Sequence, residues 1–164
     1  MSEMILREAR SSDLGQIIAL EQACFPPEQA ASPSALKERI ERFGPYFLVA
    51  EKGGTIVGMI NGMPTNETDL CDEMYEGALL YDPAGGHIMI FGVDTLPSFE
   101  HQGIASMLME AYIKSARKDG RKSIVLTCRK RLIGFYEQFG FVCEGISGSE
   151  HGNVVWYQMR IVTG

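Results

Sequence analysis

The chain has 164 residues, of which 45% are hydrophobic and 22% charged, with a formal net charge of −6. That length supports one domain with a sizeable core, and the balance is that of a soluble globular protein. The negative charge disfavours nonspecific binding to nucleic acid or a membrane surface, no apolar run approaches transmembrane length, and Met1-Ser-Glu-Met4 carries no signal segment. Cys24, Cys71, Cys128 and Cys143 show no Cys-x-x-Cys spacing and no paired histidines. Neither a zinc site nor a disulfide framework is indicated, and free thiols in a reducing cytosol are the natural reading. The expectation is a cytoplasmic protein without a metal, monomeric or homodimeric.

Met4 to Ala9 reads as a strand. Ser11 or Ser12 can cap the helix that follows, with Leu14, Ile17, Ile18 and Glu21 on neighbouring helical positions, and Phe25-Pro26-Pro27 stops it near Cys24. Ser32-Pro33 starts a second helix with a cap and a first-turn proline, and Leu36, Ile40 and Phe43 form its buried stripe. Tyr46 to Glu51 and Thr55 to Met63 are strands joined by Gly53-Gly54, a hairpin signal. Pro64 to Gly86 is a long connection with room for a helical turn, holding Glu67, Asp69, Asp72, Glu73 and Glu76. This acidic loop reads either as a lure for a cationic amine or as a solvated face.

His87 to Thr95 is nearly all apolar, as a strand covered on both faces should be. A long helix follows, with Ile104, Met107, Leu108 and Ala111 on one face, ending at Lys118-Asp-Gly120. Ser123 to Cys128 is a buried strand, Arg131 to Phe139 a short helix ended by Gly140, and Phe141 to Ile146 with Val154 to Ile161 a closing hairpin. The order β-α-α-β-β-β-α-β-α-β-β has no repeat and no linker, and it gives an α/β domain over 1–164 with a mixed sheet and helices on both faces.

The chain is organised around the junction of the fourth strand and the long helix. Gly103-Ile104-Ala105 opens that helix, whose first amide N–H groups lack intrahelical partners and make a ready site for a phosphate. A phosphate loop would need Lys-Ser or Lys-Thr after its last glycine, and a dinucleotide fingerprint would need glycine where Leu108 stands. From these residues alone, a tight strand-to-helix turn without a ligand is the competing reading.

Pro97-Ser-Phe-Glu100-His-Gln-Gly103-Ile-Ala105, followed by Leu132-Ile-Gly-Phe-Tyr136-Glu-Gln-Phe-Gly140-Phe141, resembles the GNAT (GCN5-related) N-acetyltransferase superfamily. Arg7 to Asp13, Ile17 to Glu21 and Phe25-Pro26 are similar to the opening of its arylalkylamine N-acetyltransferase branch, so the resemblance covers nearly the whole chain. Glu100 departs from the pattern, standing where the family commonly has arginine or glutamine. The resemblance implies a mostly antiparallel mixed sheet flanked by about four helices. It also implies acetyl-CoA as cosubstrate and transfer of the acetyl group to a primary amine of a small molecule. A protein or peptide amine as acceptor, or a CoA-binding module without turnover, are the alternatives.

The resemblance also implies site roles. The pyrophosphate would lie over the amides of His101, Gln102, Gly103, Ile104, Ala105 and Ser106, and the pantetheine arm along the main chain of Val93, Asp94 and Thr95, where two strands splay at a bulge. Arg129, in a cluster with Lys130 and Arg131, would meet a CoA phosphate or solvent. Tyr136 matches the family tyrosine that protonates the departing thiolate; its alternative is a buried ring with a wet hydroxyl. The strand positions that hold a general base in relatives are Met89 and Phe91 here, so His87, on the same face by alternation, is the candidate base, against a strand-end histidine bonded locally. Glu28 and the acidic loop are further candidates, whereas His101 belongs to the phosphate loop and His151 to an exposed turn.

Overall fold

A computed structural model describes residues 3–149 and 154–164. Among these residues seven strands form one sheet: β1 (Met4–Glu8), β2 (Phe47–Lys52), β3 (Thr55–Thr65), β4 (His87–Thr95), β5 (Ser123–Cys128), β6 (Val142–Ile146) and β7 (Tyr157–Val162). Their order is β1-β2-β3-β4-β5-β7-β6. Every pairing is antiparallel except β4 with β5. The helices are α1 (Leu14–Cys24), α2 (Pro33–Phe43), the single turn α3 (Glu73–Glu76), α4 (Ile104–Lys118) and α5 (Ile133–Glu137). The expected element order is therefore present, with α3 as the turn for which the long connection left room. His151 lies outside the described residues.

Local chemistry accounts for the helix starts. Ser32 Oγ accepts the Ala35 N–H at 3.1 Å, and Pro33 takes the first position of α2, where a missing N–H costs nothing. Asp13 receives the Arg10 N–H at 2.7 Å and a two-pronged ion pair from Arg7, which ties β1 to the start of α1.

The two faces of the sheet can be read off β3. Asn61 meets Arg39 of α2 at 3.1 Å, whereas a Cβ on Gly58 would strike Ile104 and Leu108 of α4, and one on Gly62 would strike the Tyr112 hydroxyl. Side chains alternate across a strand, so α2 and α4 cover opposite faces. From Ile56 to Thr65 every residue of β3 is consequently buried. β3 runs two residues past the expected Met63, through Pro64. This is tolerated because β2 stops opposite Asn61, and the Pro64 carbonyl instead takes the Asp82 N–H at 2.9 Å.

Two irregularities make the site. Asn61 pairs with Gly92 and Gly62 with Ile90, which leaves Phe91 as an extra residue on β4, a bulge. The parallel ladder between β4 and β5 holds only His87↔Ser123, Ile88↔Ile124 and Met89↔Val125. Beyond Met89 and Val125 the two strands part.

Candidate active site

The parting of β4 and β5 opens a cleft of about 1060 Å³, walled by both strands, by the C-terminal end of α1 and the loop after it, by α2, by α3, and by the starts of α4 and α5. At one end lies the loop into α4. Gly103 takes a left-handed conformation with φ of 79°, and a Cβ placed on it would meet no atom within 4 Å, so the backbone is bare toward the cleft. The Met107 N–H donates to the Gly103 carbonyl, and the amides ahead of that bond have no intrahelical partner. His101 also holds a positive φ, 64°, which is unusual for a residue with a side chain. His101, Gly103, Ile104, Ala105, Ser106 and Arg129 all line the cleft, and Glu100 lines it beside them.

In the middle of the cleft, Val93 and Thr95 form the β4 wall. The Cys24 thiol donates to the Thr95 carbonyl at 3.1 Å, and burial pushes that thiol up to about 12, so it is no nucleophile. Tyr136 comes from α5, where Phe135 and Phe141 stand against its ring at centroid distances of 5.1 Å and 5.9 Å. It is buried apart from its face on the cleft, and its hydroxyl makes no hydrogen bond among the described residues. Burial pushes the phenol above its ordinary value, with Cys128 and Asp94 adding to the effect, so it keeps its proton throughout the neutral range.

Phe91, Tyr75 and Arg39 cluster on another part of the wall, and Phe25, Trp156, Glu21 and Glu76 line the cleft as well. Arg39 is buried, its guanidinium 4.6 Å from the Phe91 ring centre, donating to Asn61 Oδ1 and to the Tyr75 carbonyl, each at 3.1 Å. Tyr75 in turn bridges to β5 through a 3.2 Å hydrogen bond with Thr127 Oγ1. α3 is thereby strapped across the cleft between α2 and β5.

Three of the expected site residues do not line the cleft. His87 is at the closed end of β4, opposite Ser123, with Nδ1 2.7 Å from Ser123 Oγ. Burial lowers its pKa, and Arg160 and Lys122 lower it further, so the candidate base is weakened and away from the cleft. Gln102 is exposed, and the Asp94 side chain turns into the protein interior. Glu28 is exposed outside the cleft. Of the acidic loop only Tyr75 and Glu76 reach the cleft, because Leu70 and Met74 anchor the segment in the core and Asp69 pairs with Arg160 at 2.9 Å.

Sequence reasoning missed a polar cluster beside the Phe91 part of the wall: Glu21, Arg39, Asn61 and Asp94, all buried. Its signal was available, since Glu21 stands on the apolar stripe of α1, Arg39 beside the stripe of α2, and Asp94 within an apolar strand. Burial and the neighbouring Glu21 carboxylate push Asp94 well above the usual carboxylate range, and Arg39 opposes that shift only partly. Among the described residues, no group of three or more His, Cys, Asp or Glu side chains is placed to hold a metal ion.

The comparisons with known proteins agree with this geometry. The model of the acetyltransferase (GNAT) family matches residues 14–141. An N-alpha-acetyltransferase of Saccharolobus solfataricus is 29% identical over 143 residues, which is 85% of this chain and 80% of that protein. Among solved structures, the loading GNATL domain of CurA from Lyngbya majuscula superposes with a TM-score of 0.87 at 18% identity, covering 98% of each chain. The GphF GNAT-like decarboxylase in complex with isobutyryl-CoA superposes with a TM-score of 0.85 at 21% identity, over 98% of this chain and 100% of that one. These two share the fold. With the family model spanning most of the chain and a cleft of this form at the split of β4 and β5, the chain belongs to the acetyltransferase (GNAT) family and is an acetyl-CoA-dependent acetyltransferase.

Proposed function

We propose that the enzyme transfers the acetyl group to the primary amine of a small molecule, in the manner of the arylalkylamine-type branch. The observation that carries this reading is the lining of the cleft, whose acceptor end we take to be the part around Phe91 and Tyr75: Phe25, Tyr75, Phe91 and Trp156 bring aromatic rings to the wall, and Glu21 and Glu76 bring carboxyls. An amine with an aromatic or aliphatic body suits both.

In this reading the unpartnered amides from His101 to Ser106 take the pyrophosphate, helped by the helix dipole of α4, and Arg129 takes a further phosphate. Gln102 contributes its amide only. The main chain of Val93 and Thr95, with Asp94 between them, holds the pantetheine arm along the strand edge that β5 leaves open. A β4 amide near Val93 donates to the thioester oxygen as it becomes an oxyanion. Attack by the uncharged amine forms the C–N bond, the C–S bond breaks, and Tyr136 gives its proton to the departing sulfur. Glu100 must point its carboxylate away from the pyrophosphate, since like charges in a cleft repel.

Thiol release from acetyl-CoA, measured across a panel of arylalkyl, alkyl and polyamine acceptors, tests the reading. No release with any of them, together with no rise in melting temperature at millimolar acetyl-CoA, overturns it. A second reading, a peptide N-terminal amine as acceptor, is supported by the 29% identity to an N-alpha-acetyltransferase. Peptides in the same panel separate the two, since each reading requires its own class to be turned over with the higher kcat/KM. Isobutyryl-CoA and a carboxylated acyl-CoA belong in the assay too, given the superposition with the GNAT-like decarboxylase.

A further inference from the structure

The acceptor amine reaches the cleft as an ammonium, and it must shed a proton before it can attack. Neither Met89 nor Phe91 can take that proton, and His87 lies outside the cleft. The polar cluster beside the Phe91 part of the wall supplies another route. Glu21 and Asp94 are 5% and 1% exposed. Glu21 Oε2 accepts the Ala31 N–H at 2.8 Å, but Glu21 Oε1 and both Asp94 oxygens make no hydrogen bond among the described residues. The two carboxyls converge beside Gly92, where a Cβ would stand 3.1 Å from Asp94 Oδ1, 3.5 Å from Asn61 Nδ2 and 3.9 Å from Glu21 Oε1. Glu21 and Gly92 both line the cleft.

Charge balance fixes what this cluster holds. Arg39 brings one buried positive charge from α2, tethered by neutral groups rather than by an acid. Two ionised carboxylates would leave a net negative charge in a buried site, with only the Asn61 amide, among the described residues, as a neutral donor between them. Two protonated ones would leave Arg39 unbalanced. One proton between them makes the cluster neutral and converts a repulsion into an O–H···O⁻ hydrogen bond. The other titratable groups around the pair are Cys24 of α1, whose thiol is turned to Thr95, Tyr75 of α3 and Tyr136 of α5, with Glu76 and Glu100 farther along the cleft wall.

We propose that Glu21 and Asp94 share one proton in the resting enzyme and together receive the proton that the acceptor ammonium sheds, with Glu21 at the cleft wall as the catalytic residue and Asp94 behind it as the positioning residue. The proposal rests on the acetyl-transfer reading. An N–H bond of the ammonium breaks and its proton passes through Glu21 to the pair, which becomes neutral. The freed lone pair forms the C–N bond, the C–S bond breaks with its electrons going to sulfur, and Tyr136 protonates that sulfur. The second proton lost from nitrogen restores Tyr136. A fully protonated pair leaves Arg39 unbalanced, so the extra proton returns to solvent as the product leaves. The net yield is amide, free thiol and one proton.

Carboxyl ¹³C NMR of protein labelled at Asp and Glu reads the pair without any acceptor. One carboxyl should remain protonated at neutral pH in the wild type and be lost in Asp94→Asn; a wild type with every carboxyl ionised overturns the proposal. Rates of thiol release from acetyl-CoA with 2-phenylethylamine then test the role. Glu21→Gln should lower kcat by about 10²-fold or more while acetyl-CoA still raises the melting temperature. Asp94→Asn removes the shared O–H that stabilises the singly charged pair, so the acid limb of the rate profile should move to higher pH; a purely structural effect would lower the rate and leave the limb in place. An unmoved limb, or wild-type kcat in Glu21→Gln, overturns the proposal. Turnover with two ionised carboxylates sinks the pair alone, whereas no turnover with 2-phenylethylamine or any other amine sinks the acetyl-transfer reading and the role of the pair with it.

Discussion

Met89 pairs with Val125, and past that pair β4 and β5 share no further rung. Three rungs hold the strands together at one end while the Phe91 bulge turns β4 away at the other. A sheet split in this way offers a thioester arm an open strand edge inside a covered fold, which a continuous ladder would deny it. The start of α4 lines the same cleft, so in the proposed reading one break in the sheet serves both the anion site and the reacting end.

Gly103 is the first place to test that arrangement. Its φ of 79° disfavours any side chain, and the empty space beyond its Cα is where a phosphate would approach. Gly103→Ala should destabilise the fold by about 1–2 kcal/mol through backbone strain alone. Gly103→Glu adds a negative charge as well, and should abolish the rise in melting temperature given by CoA while a cooperative unfolding transition persists. A CoA-induced shift equal to the wild type's in Gly103→Glu would put the phosphate elsewhere.

The acidic loop divides under the same scrutiny. Asp69 is engaged by Arg160, and Asp72 by the Ser149 hydroxyl, whereas Glu76 lines the cleft. Neutralising Asp69, Asp72 and Glu73 together should leave KM for a cationic amine within about twofold at physiological salt, since none of the three lines the cleft. Glu76→Gln should raise KM, and more so at low salt than at high. Equal effects of Glu76→Gln at both ionic strengths would remove it from amine recruitment.

Much of this was legible in the chain. The Gly53-Gly54 hairpin, the apolar β4, the Gly103 start of α4 and the Ser32-Pro33 start of α2 are local signals, and the structure has each of them where local chemistry puts it. The bulge at Phe91 was not legible at a residue, because register is decided by the partner strand and not by the strand itself. Nor was the position of β7 between β5 and β6. Glu21, Arg39 and Asp94 were visible as charges on apolar faces, but only the packing of α1 and α2 against β3 and β4 brings them together. His87 satisfied the alternation rule and still missed the cleft, because alternation gives a face of a strand and not a distance along it.

Asp13 offers a test of stability apart from chemistry. The Arg7 guanidinium holds its carboxyl below the usual range, with the Arg10 N–H helping against the cost of burial. A carboxyl with a depressed folded-state pKa contributes stability that is fully present above its unfolded value, near 3.9, and is lost as pH falls through the folded value. Asp13→Asn should therefore cost roughly 1–3 kcal/mol at pH 7. The gap to the wild type should close as pH falls below about 4. Denaturant melts at pH 7 and in that acid range check this, and a gap independent of pH would mean that the lost contribution is packing and not charge.

Tyr136 carries the sharpest test of the transfer step. Its ring is fixed by Phe135 and Phe141, and its hydroxyl makes no hydrogen bond among the described residues, so Tyr136→Phe removes one oxygen from the cleft wall and little else. The melting temperature and its rise with acetyl-CoA should both stay near wild type. Turnover should fall by about 10²-fold or more, with kcat and kcat/KM falling together, as for an interaction made only in the transition state. Burial raises this phenol, so its loss of the proton belongs above the ordinary tyrosine value of about 10. The wild-type rate should accordingly hold its plateau through that pH, and any fall at still higher pH should be absent from Tyr136→Phe. A Phe variant with wild-type kcat would make Tyr136 a packing residue, and the proton on sulfur would then have to come from water or from the amine itself.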